Sequence, residues 1–101
     1  MKTSKIRQSA KGEECLVRAP GICNGNPETV VLAHINGGGI GRKNPDWQGA
    51  YACSACHEWL DGGYNNDCAT RFDRDLLHLE AVIRTQAVLI DKGLITVRGA
   101  A

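Results

Sequence analysis

Cys53-Ser54-Ala55-Cys56-His57 is the stretch on which the reading of this chain turns. Two thiolates separated by two residues can both reach one tetrahedral zinc ion, because the turn between them aims both sulfurs inward. A second pair lies upstream, Cys15 and Cys23, with Pro20-Gly21 between them to fold the segment back on itself. Together they predict one closed, structural Zn2+ site made of Cys15, Cys23, Cys53 and Cys56. Such a site would tie the N-terminal segment to a helix beginning near Ser54, with Ser54 as its cap. Cys68 is left over and reads as a small apolar filler near the start of the last helix.

Other readings of the cysteines stay open at this level. Five cysteines cannot all pair within one chain, so a complete disulfide framework is excluded. The four could be ordinary buried cysteines. A redox pair would need a thioredoxin-like strand and helix context, which is missing. The C-x-x-C-H spacing also matches covalent haem attachment, but that chemistry needs export, the only methionine is Met1, and Cys15 and Cys23 would have no role.

The length, 101 residues, suits one domain whose modest core a metal cross-link would reinforce. No apolar run approaches the roughly 18–20 residues that cross a membrane. The basic N-terminus is not followed by an apolar segment, so no secretory signal is expected and the cytoplasm is the expected compartment. The net charge of +1 conceals an asymmetry. Residues 1–43 carry seven basic and three acidic side chains, a net +4, whereas residues 44–101 carry five basic and eight acidic ones, a net −3. A basic half can meet phosphates or can simply be solvated. Residues 1–12 lack apolar periodicity and read as a basic, flexible arm. Residues 13–101 read as a single zinc-braced domain.

Within that domain, 13–29 is turn chemistry around two cysteines. Residues 29–35 are β-branched and apolar, a short strand. A glycine-rich loop follows, then a weaker strand over 47–53 that can pair back on the first. Ser54 to Leu60 has helical character. Phe72, Leu76, Leu79, Val82, Ile83, Leu89 and Ile90 recur at helical spacing, which predicts a long last helix. Thr70 with Asp73 forms a capping-box pattern, and Gly93 sits where a C-cap glycine belongs. The apolar stripe of this helix is either core or the seam of a homodimer. The class is therefore α+β.

Of three histidines, His78 lies among leucines in the long helix and needs no function. His34 ends the first strand and His57 follows the C-x-x-C pair, so pairing of the two strands would bring both imidazoles together. Leu32-Ala33-His34-Ile35, a glycine-rich loop and Ala52-Cys53-Ser54-Ala55-Cys56-His57 resemble the HNH, or ββα-metal, nucleases of the treble-clef zinc-finger type. Residues 14–29, from Glu14-Cys15 through Pro20-Gly21-Ile22-Cys23 to Thr29, resemble more closely the YbcO-like family, small proteins of lambdoid phages and prophages described as nucleases. The resemblance spans roughly residues 5–95.

It implies a small zinc-stabilised finger with a long C-terminal helix, hydrolysing phosphodiester bonds in DNA during phage recombination or packaging. His34 would be the general base. His57 would ligate a catalytic Mg2+ or Mn2+ ion. Two positions depart from the pattern: Ala33 stands where a carboxylate ligand is common, and Gln48 where an asparagine is expected. Asp61 or Asp46 would then supply the missing ligand. The glycine loop with Arg42 and Lys43, together with Arg18 and Lys11, would contact nucleic-acid phosphates. Two other classes fit the same residues: a non-catalytic zinc finger that binds nucleic acid or a protein, and a dimerisation module built on the last helix. The His34–His57 pair, which an adaptor does not require, separates them from a nuclease.

Overall fold

Val31–His34 and Gly49–Ala52 pair as an antiparallel two-stranded sheet, β1 and β2, with Val31 opposite Ala52 and His34 opposite Gly49. The computed structural model describes residues 4–35 and 44–99. Residues 36–43 of the loop between the strands, including Arg42 and Lys43, lie outside the described residues. β2 is buried along its whole length, and its apolar residues explain why. One face of the sheet receives a helix, and its far edge is covered by the cysteine loop. Tyr51 illustrates this: its carbonyl accepts from the Leu16 amide at 2.9 Å, and its amide donates to the Thr85 hydroxyl at 3.0 Å. Neither group is left open at the edge of the sheet.

Among the described residues, three α-helices accompany the sheet: α1 (Lys5–Ser9), α2 (Ser54–Asp61) and α3 (Arg71–Asp91). The capping box expected at α3 is formed: Thr70 and Asp73 bond each other's backbone amides. Gly93 takes φ +72°, the left-handed conformation that lets the Leu94 amide close on Leu89. Among the described residues no helix is long and apolar enough to cross a membrane.

Three expectations are corrected, and the N-terminal arm carries structure that its composition did not show. Residues 5–9 are helical, Ala10 is buried, and the Ser9 hydroxyl meets the Tyr51 hydroxyl at 2.6 Å. Local composition concealed this, because a five-residue helix carries too few apolar positions to show a period. The cap of α2 is Cys53, whose sulfur accepts from the Cys56 amide, and Ser54 is the first helical residue. Cys68 is exposed, at φ +58°, and fills no core. The apolar stripe of α3 divides. His78, Ala81, Val82, Thr85 and Leu89 face the sheet, while Phe72, Leu76, Leu79, Ile83 and Ile90 face outward.

Candidate active site and metal centre

The sulfurs of Cys15, Cys23, Cys53 and Cys56 converge, all within 4.8 Å of one another. None is in a disulfide. The donor set fits a tetrahedral metal: with sulfurs about 2.3 Å from zinc, neighbouring sulfurs stand about 3.8 Å apart. The Cys23 and Cys53 sulfurs are 3.9 Å apart. Two loops deliver them. Cys15 sits in a turn where Arg18 adopts φ +53°, which directs the Val17 and Arg18 amides at the Cys15 sulfur. The Asn24 amide points at Cys53 from 3.5 Å. Amides aimed at sulfur favour thiolates, as a cation there requires.

The thiols also perturb one another. A hydrogen bond from Cys56 pushes the Cys15 thiol down to about 4, against the opposing effect of burial. Cys56, donating to Cys15 and buried, is driven strongly upward. Burial likewise raises Cys23. Four sulfurs this close cannot all ionise without a positive charge between them, so the cluster can hold a metal ion such as zinc and gains from doing so.

His34 and His57 line one cleft of about 700 Å³, together with Arg7, Lys11 and Glu28. β1 carries His34 to the rim. α2, anchored at its first turn by the cysteine cluster, carries His57. β1 and α2 thus bring both histidines to the same cleft. His34 is half-buried, and its Nε2 lies 2.6 Å from the Asp46 carboxylate. Asp46 also accepts from the Ser4 hydroxyl and lies 3.6 Å from Arg7. The Ser4 hydrogen bond first, then that to His34, hold the Asp46 carboxyl below its usual range. Asp46 is therefore an ionised acceptor for His34, already engaged by three side chains. Sequence reading overlooked this pairing, because Asp46 lies beyond the glycine-rich loop and no spacing rule links it to His34.

The remaining predicted residues fall unevenly. Lys11 is on the cleft. Arg7, not singled out from the sequence, is there too. Arg18 serves the cysteine loop through its backbone, and it is not among the residues lining the cleft. Asp61 lies one turn beyond His57, with 3.7 Å between its carboxylate and Nε2; Asp61 is exposed and His57 half-buried. Ala33 is buried and brings no donor.

The comparisons with known proteins point one way. The family model described as "Putative nuclease YbcO" matches residues 4–94. An Escherichia coli K12 protein described as "Putative nuclease YbcO" is 44% identical over 100 residues, covering 89% of this chain and 95% of that protein. A protein of Enterobacteria phage 82 with the same description matches equally well. A solved structure titled "Structure of a putative bacteriophage protein from Escherichia coli str. K-12 substr. MG1655" aligns with TM-score 0.73 and 42% identity, over 88% of this chain and all of that one. With a matching model over nearly its whole length and relatives at this identity, the chain belongs to the YbcO family.

Proposed function

We propose that this protein is a metal-dependent endonuclease of the HNH type, a ββα-metal finger that hydrolyses phosphodiester bonds in DNA. The observation that carries the reading is the cleft shared by His34 and His57, with the His34 imidazole held by an ionised carboxylate. In the neutral imidazole, Nε2–H of His34 donates to Asp46, which leaves the lone pair on Nδ1. Nδ1 takes the proton from the attacking water. Arg7 and Lys11, on the same cleft, offset phosphate charge. His57, with Asp61 one turn away, would hold a divalent cation, Mg2+ or Mn2+. Such a cation, when bound, offsets charge on the phosphate and on the leaving oxygen. The four cysteines hold Zn2+ in a structural role and keep α2, and hence His57, in place.

The test is cleavage of plasmid and single-stranded DNA by the zinc-loaded protein, with and without magnesium or manganese. His34→Ala should lower the rate by about 100-fold or more, the usual worth of a positioned base. Zinc content and DNA affinity should stay unchanged. Asp46→Asn should lower kcat and leave KM as it is. Asp46→Glu should restore part of the loss, because it keeps the charge. Buried Ala33, which removes one common ligand, supports a single alternative, a non-catalytic finger that binds nucleic acid. Wild-type protein inert with both metals, or His34→Ala cleaving like wild type, would replace the nuclease by that binding module.

A further inference from the structure

α3 is apolar on two sides, and the fold uses one of them. The outward stripe runs Phe72, Leu76, Leu79, Ile83, Gln86, Ile90, with steps alternating between four and three residues. That is the 3.5-residue average of a coiled-coil seam. Phe72 is 83% exposed, and Ile83 and Leu76 are about 60% exposed. At the far end of the stripe, Trp47, Ile90, Ile95 and Val97 line a groove of about 380 Å³ with Gln86 and Thr96.

We propose that two copies of this chain form a two-fold dimer along α3, with the helices antiparallel and Phe72 of each copy seated in the Trp47–Ile90–Val97 groove of the other. The register follows from the stripe itself. Setting Leu79 opposite Ile83 of the second copy brings Leu76 opposite Gln86 and Phe72 opposite Ile90. The most exposed ring of each copy then arrives at the groove of its neighbour. The axis passes beside residue 81, and every contact is made twice, as an isologous interface requires.

Area favours a second copy as occupant, and charge its antiparallel orientation. Phe72, Leu76, Leu79, Ile83, Ile90, Trp47 and Val97 together expose on the order of 700 Å², close to the ~800 Å² that each partner contributes to a standard interface. Acidic residues border the stripe. Parallel helices would set Asp75 of one copy against Glu80 of the other. The antiparallel register removes that approach, and leaves Glu80 near its own symmetry mate. Glu80 is already 3.8 Å from Arg84 on the same helix, which offsets that approach. The dimer does not depend on whether the cleft is catalytic.

Sedimentation equilibrium on the zinc-loaded full chain should show a monomer–dimer equilibrium, with a dissociation constant of about micromolar or tighter. Phe72→Ala should raise that constant at least about 30-fold, as loss of an aromatic anchor does, with zinc content and far-ultraviolet circular dichroism unchanged. The register has its own test, in a Cys68→Ser background. Phe72→Cys together with Ile90→Cys should give a disulfide-linked dimer on mild oxidation. Phe72→Cys alone should not, since the two positions 72 would lie about 27 Å apart. A wild-type monomer at all concentrations, a Phe72→Ala dimer as tight as wild type, or a dimer linked through Phe72→Cys alone would overturn the proposal.

Discussion

His78 shows how one residue can be structural for reasons the sequence states only in outline. It is buried, and its Nε2 donates to the Ala33 carbonyl at 2.9 Å, tying α3 to β1 beside His34. Burial, the largest influence, lowers its affinity for a proton below that of a free histidine. The unfolded chain therefore binds a proton that the folded chain refuses, and stability must fall as pH drops below the ordinary histidine range near 6.5. Urea unfolding at about pH 7.5 and about pH 5.5 should show this loss, and His78→Gln should lessen it. A variant with the wild-type pH dependence would place the titration elsewhere. The other two histidines differ from His78 by position alone. Nothing in residue type marks His34 as a base, and only the tertiary approach of Asp46 pairs its imidazole with a carboxylate.

At the scale of elements, the joint between α3 and β2 depends on Thr85. Its hydroxyl donates to the Ala81 carbonyl at 2.8 Å and accepts from the Tyr51 amide. Thr85→Val keeps the shape and leaves that buried amide without a partner. It should cost about 1–3 kcal/mol in urea unfolding. A cost near zero would mean that β2 shifts to bond elsewhere. The periodicity of α3 disclosed a helix and both of its ends, yet not which apolar residues are core. Val82 and Leu89 turn inward with Ala81 and Thr85, whereas Phe72, Leu76 and Ile83 turn out. Leucine and β-branched residues stand on both faces, so residue type alone does not assign the core.

For the whole molecule, the cysteine cluster is one long-range tie. It joins the loop around Cys15 and Cys23 to the junction of β2 and α2, and so sets where His57 stands relative to β1. Removing the metal with a chelator should lower the melting temperature sharply, and α2 with His57 should lose its place before α3 frays. Elemental analysis should find about one zinc per chain, the number a single four-thiolate site holds. A metal-free chain with an unchanged melting curve would contradict this role.

The two cysteine pairs, the two short strands flanking a glycine-rich loop, and the capped helix after Thr70 were determined by sequence alone. Each rests on local chemistry: ligand spacing, β-branched runs, and a side chain that reaches a backbone amide three residues on. The helical turn at Lys5–Ser9, the pairing of Asp46 with His34, the arrival of Arg7 on the cleft and the outward face of α3 were decided only by the tertiary structure. These depend on contacts between residues far apart in the chain. Ser4 and Asp46 are 42 positions apart, and Tyr51 and Thr85 are 34 apart. No period or motif encodes such a distance. It is set by how the sheet, the cysteine cluster and α3 fill space together.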